Sequence, residues 1–138
     1  MTWSKKLNSR AYDPKNTATL TTSTGSISTQ SIRVAEYSII NDYLCLANLQ
    51  IRFSLITAAS TTFFVDLPLP FIYADPNISV GTGYIWDAST TTFKTCLAER
   101  NGSATSQIVV QVFNPASVNI GIGSNHELKL SGLCYAVR

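Results

Sequence analysis

The chain's 138 residues suit one domain able to bury a core of its own, and with 45% apolar and only 13% charged positions it is not a disordered, highly charged chain. No run approaches 18 apolar residues, which excludes a membrane-spanning helix. The net charge of +2 hides an asymmetry: residues 1–16 carry Lys5, Lys6, Arg10 and Lys15 against Asp13, so a basic segment precedes a nearly neutral remainder.

Residues 1–16 read as an extended basic arm and residues 17–138 as a single β domain. The opening six residues lack the apolar stretch of a secretion signal. The glycosylation patterns at Asn77 and Asn101 are therefore read as chance. Residues 17–30 are rich in Thr and Ser and broken by Gly25, which predicts a loose edge hairpin. Residues 32–40 predict a strand. Asn41-Asp42 predicts a two-residue hairpin turn, because both residue types tolerate positive φ.

Over residues 43–55 every odd position is apolar: Tyr43, Cys45, Ala47, Leu49, Ile51, Phe53 and Leu55. The even positions turn polar from Asn48 onward. A period of two means a strand with one face on a core. Residues 61–67 predict another strand. Pro68, Pro70 and Pro76 then mark an irregular excursion, since proline cannot donate to a ladder. Residues 84–87, 92–99, 106–113 and 127–137 complete the set. Asn101-Gly102 is a turn between two of them, and residues 96–100 are the one place where a helical turn competes. About eight strands without crossover helices require antiparallel pairing. The expected fold is all-β: an antiparallel two-sheet sandwich, jelly-roll-like, with an open barrel as the alternative.

A two-residue turn at Asn41-Asp42 sets the hairpin register by counting. Ile40 then faces Tyr43, Val34 faces Leu49 and Ile32 faces Ile51 on the core side, with Glu36 awkwardly among them. The outer face gathers Tyr37, Ile39, Leu44 and Leu46 beside the turn. Monomers seldom expose such a patch, so it predicts a subunit contact, a two-sided core at that end or a covering loop.

Candidate chemistry is sparse. The one histidine, His126, follows a Gly-rich run and reads as a loop-tip residue opening the last strand. A Ser–His–Asp or Cys–His device would have to use it. Cys45, Cys96 and Cys134 form no CxxC pair and read as buried thiols, so no metal or cofactor is expected. The acidic residues Asp66, Asp75, Asp87 and Glu99 form no calcium-loop pattern. The arm's four cations are dispersed and fewer than a phosphate-tracking surface usually carries, which argues against nucleic acid as a partner. Trp86 reads as a core residue or as a platform that stacks on a sugar ring. Trp3, in the arm, reads as an anchor for a neighbour's pocket.

A strand ending near Tyr37, the Asn41-Asp42 turn, the long strand over 43–55, Val65-Asp66-Leu67-Pro68-Leu69-Pro70-Phe71 and the closing Leu128-Lys129-Leu130-Ser131-Gly132-Leu133-Cys134-Tyr135 together resemble the β-sandwich virion modules of tailed bacteriophages. The resemblance covers residues 32–136. Asn41 stands where such turns carry Gly, and Leu69-Pro70 extends the usual Leu-Pro-Phe. The resemblance implies a virion structural protein without enzymatic activity, foremost a homotrimer that decorates and cements the capsid, with the receptor-binding head of a tail fibre as the alternative. For the decorating role, the expected partner is the major capsid protein and the anchors are Trp3, Lys5, Lys6, Arg10 and Tyr12. For the receptor-binding role, the partner is host-surface glycan and Trp86 the platform. A small hydrolase is the distant alternative.

Overall fold

The alternation over residues 43–55 is realised almost in full. Cys45, Ala47, Leu49, Ile51, Phe53 and Leu55 are all buried, and the residues between them are half-buried or exposed. Only Tyr43 departs, because it lies in the preceding turn and is exposed. The computed structural model describes residues 3–5, 18–72, 78–113 and 119–137. Within them lie β1 (Ser4–Lys5), β2 (Leu20–Thr22), β3 (Ser26–Ile40), β4 (Leu44–Ile56), β5 (Thr62–Asp66), β6 (Ser79–Asp87), β7 (Thr92–Arg100), β8 (Gln107–Val112) and β9 (Gly123–Ala136). No helix occurs among the described residues, and residues 96–100 belong to β7. Asn101 and Gly102 do turn the chain after it, with Gly102 at φ 54° and the Ala104 amide donating to the Asn101 carbonyl at 2.9 Å.

The strands hydrogen-bond in one continuous order, β1-β3-β4-β9-β6-β7-β8-β5-β2, not as two separately bonded sheets. β9 joins β4 to β6, and β8 joins β7 to β5, so no break separates two ladders. Every pairing is antiparallel except β1 on β3. The sheet curls until β4 and β5 face each other: Phe53 and Phe63 meet at 5.4 Å in an edge-to-face contact. The Tyr135 hydroxyl donates to the Leu69 carbonyl at 2.9 Å across the same interior and accepts from the Leu69 amide.

The remaining opening lies between β2 and β3, and a side chain bridges it. The Gln30 carboxamide accepts from the Leu20 amide at 2.9 Å and donates to the Leu20 carbonyl at 3.0 Å, taking the part of a missing ladder residue. Trp3 closes the molecule further along. It is 2% exposed, belongs to the core, and its indole N–H donates to the Asp66 carbonyl at 2.9 Å.

The hairpin turn holds three residues, not two. Asn41 and Asp42 both adopt positive φ (52° and 66°), as their chemistry allows, but Ile40 pairs with Leu44. The one-residue difference exchanges the faces of β3. Tyr37 and Ile39 are therefore core residues, and the outward apolar group beside the turn is Ile40, Leu44 and Leu46, extended by Cys134 and Ala136 of β9. The same shift moves Glu36 outward, where Asn48 donates to it at 3.2 Å. A bulge between Ile32 and Val34 then restores the counted pair Ile32–Ile51.

A second bulge, between Leu130 and Leu133 of β9, explains Cys134. Gly132 adopts φ 70°, a left-handed conformation that glycine enters without steric cost. Its amide donates to the Asn48 side chain at 2.8 Å. The extra residue returns Leu133 and Tyr135 to the interior and turns Cys134 outward, whereas Cys45 and Cys96 are buried.

Candidate functional site

Two places concentrate polar chemistry: a buried centre at one end of β6 and an aromatic face on the outside of β6, β7 and β9.

The buried centre is built on Asp87, the last residue of β6, which is fully buried. Lys94 of β7 reaches it with an Nζ–Oδ2 distance of 2.5 Å. The Ser89 hydroxyl and amide donate to Oδ1 at 2.6 and 2.9 Å, and the Gly121 amide donates to Oδ2 at 3.3 Å. Burial alone would raise the Asp87 pKa, but the Lys94 ammonium and these donors hold it at about 2. Lys94 also donates to the Asn119 carbonyl at 2.7 Å, so one ion pair ties the β6–β7 hairpin to the segment leading into β9. The approach is close: a Cβ on Gly121 would lie 2.3 Å from Ser89 Oγ.

His126 lies inside β9, fully buried against Phe53 at 5.3 Å, and not at a loop tip. Its Nδ1 accepts from the Ala88 amide at 3.1 Å, which fixes a neutral ring with the proton on Nε2. Nε2 is buried without a hydrogen-bond partner among the described residues. Burial depresses the His126 pKa, and the nearby Asp87 charge opposes this only in part. Ser89, His126 and Asp87 form no relay. The serine hydroxyl is committed to Asp87, and the histidine accepts a backbone proton. Burial also pushes the Cys45 and Cys96 thiols up to about 11 and about 12, far from a nucleophilic thiolate.

The aromatic face is arranged by strand register. One row across the sheet reads Gln50, Lys129, Tyr84, Thr95, and the next reads Arg52, Glu127, Trp86, Phe93. All lie on the outer face, since Ile51, Leu128 and Ile85 between the rows are buried. Trp86 is therefore not a core residue. It packs against Phe93 at 4.7 Å, and Phe93, 67% exposed, meets Tyr84 edge-on at 5.1 Å. These rings and Gln50, Glu127 and Lys129 line a hollow of about 400 Å³, a volume typical of small-ligand sites. The Glu127 carboxylate is held by Gln50 and flanked by Arg33 and Arg52 at 3.9 and 3.8 Å. A second hollow, of about 310 Å³, continues past Gln50 and Lys129 along Val34, Glu36 and Asn48.

The residues singled out from sequence are thus dispersed. Trp86 stands at the centre of the aromatic face. Tyr37 and Ile39 are in the core, away from Leu44 and Leu46 on the outside. Trp3 is spent within this chain's own core, so its indole is not presented to a neighbour. The backbone of Lys5 pairs with Tyr37 in β1, whereas Lys6, Arg10 and Tyr12 lie outside the described residues. Sequence reasoning did not combine Tyr84 and Phe93 with Trp86, nor foresee buried Arg100. That guanidinium donates to the Ala104 and Ser103 carbonyls at 2.7 and 3.2 Å and lies over Phe71. Among the described residues no three His, Cys, Asp or Glu side chains converge as metal ligands.

No known protein family, curated protein or solved structure matches the chain.

Proposed function

We propose that this chain is a non-enzymatic recognition module, a virion receptor-binding head that holds glycan on the outer face of β4, β9, β6 and β7. The observation that carries the reading is the outward cluster of Tyr84, Trp86 and Phe93 set directly beside Gln50, Glu127 and Lys129. Aromatic faces stack on the C–H faces of a sugar ring, and neighbouring carboxamide, carboxylate and ammonium groups bond to its hydroxyls. The buried centre supports the absence of catalysis. Its carboxylate is saturated by donors, and its histidine is enclosed. The assignment to a virion rests on the motif resemblance to tailed-phage modules. In that reading the curled sheet is a jelly-roll-like sandwich, with β3, β4, β9 and β6 as one leaf. A glycan array probed with the isolated protein tests the proposal. Binding that disappears in Trp86→Ala supports it, and an array without any bound sugar refutes it.

A second reading, a trimeric capsid-decorating protein contacting the major capsid protein, is favoured by a different observation: the outward apolar group Ile40, Leu44, Leu46, Cys134 and Ala136. A stable oligomer that becomes monomeric on replacing Leu44 and Leu46 with Asp, together with binding to empty capsids, would favour it over the first.

A further inference from the structure

We propose that the saccharide held on the aromatic face is acidic, carrying a carboxylate, and that Lys129 is the group that pairs with it. The inference rests on the glycan-binding reading and adds the chemical class of the ligand. It follows from the charges around the hollow. Around the first hollow three cations, Arg33, Arg52 and Lys129, stand against the carboxylate of Glu127, and Glu36, which accepts from Asn48, lies further along the second. The two arginines and Gln50 are gathered on Glu127. Lys129 is different, since its ammonium makes no hydrogen bond or ion pair among the described residues. It lies one strand from Tyr84 and one from Gln50, lining both hollows at the point where they join. A sugar stacked on the Trp86 and Phe93 rings is thus placed with an ammonium at its edge that no carboxylate among the described residues bonds. A carboxylate there forms a charge-assisted hydrogen bond where a neutral sugar offers only a hydroxyl.

Two competing occupants fit less well. A single-stranded nucleic acid needs separate open ring faces and a continuous cationic track. Here the three rings pack edge against face into one cluster, and Glu127 lies in the middle of the row. A protein partner covering this face would desolvate Lys129, Glu127 and both arginines together, against the depletion of charged groups at the centre of protein interfaces.

The test is titration calorimetry with matched oligosaccharides ending in glucuronate, glucuronamide or glucose, and with a single-stranded oligonucleotide. The expected result is glucuronate bound about five- to tenfold more tightly than its amide, with the preference shrinking as salt rises. In Lys129→Gln the preference disappears, with the glucuronate-terminated sugar losing more affinity than the amide or the glucose-terminated sugar. Equal affinity for glucuronate and glucuronamide in the unmodified protein overturns the inference but leaves the glycan reading standing. Binding of no sugar, or tighter binding of the oligonucleotide, overturns both. The comparison of acid and amide needs no variant, so a Lys129→Gln protein that fails to fold does not remove the test.

Discussion

Replacing Lys94 with Met leaves the Asp87 carboxylate buried without its countercharge. Asp87 is fully buried and Lys94 nearly so, and the pair meets at 2.5 Å. Removing one partner of a buried ion pair costs about 3–5 kcal/mol, because the other charge remains desolvated. Three donors stay on Asp87 in the variant: the Ser89 hydroxyl, the Ser89 amide and the Gly121 amide. They place the expected loss at the lower end, about 3 kcal/mol, which for a domain of this size lowers Tm by about 10 °C. Thermal and urea unfolding followed by circular dichroism measure it, with an unchanged urea slope showing that the folded state is intact. Asp87→Asn added to Lys94→Met removes the stranded charge and recovers part of the loss. The acid limb gives an independent readout. A carboxyl held at about 2 in the fold stabilises fully above its unfolded value of 3.8, and that contribution is lost as pH falls through about 2. Without Lys94 the folded value rises, so the acid-dependent loss is smaller and is complete at higher pH. A Lys94→Met protein within 1 kcal/mol of the parent, with its acid limb unmoved, would refute the reasoning.

Three further outcomes are expected. His126 is neutral and its folded pKa lies below 6.5, so the unfolded chain binds the proton first and stability declines as pH drops below 6.5; His126→Gln flattens that decline in urea titrations between pH 7 and 5. Gln30→Ala removes both bonds to the Leu20 backbone, costing about 1–2 kcal/mol and speeding amide hydrogen exchange in β2 more than in β4. Trp3→Ala empties a core site and lowers the stability of the isolated chain by about 3–5 kcal/mol in chemical unfolding; an unchanged midpoint would return Trp3 to the role of an external anchor.

Periodicity made β4 legible because a half-buried strand sorts its side chains by parity, and nothing interrupts that sorting from Cys45 to Leu55. Its partner was misplaced by one residue. Asn41 and Asp42 announce a turn, but whether Tyr43 belongs to it depends on how the strands settle, and a single step reverses a face. Bulges hid the same way: the flip of Cys134 follows from the left-handed Gly132, which looks in sequence like any strand glycine. His126 was within reach, since it shares parity with Leu128 and Leu130, yet the glycines before it suggested a loop where β9 had already begun. The aromatic face needed the pairing of β6 with β7. Tyr84 and Trp86 are two apart and share a side of one strand, but Phe93 joins them only across the 88–91 turn.

The position of β9 has a consequence for how the molecule is assembled. The last strand in chain order is bonded on both sides, to β4 and to β6, in the middle of the sheet. During synthesis β3 and β4 can zip together early, but the two bare rims that receive β9 stay open until residue 136 has left the ribosome. Nascent chains are therefore exposed to mispairing with one another while the residues between β4 and β9 are being made, and contacts this distant along the chain make maturation slow.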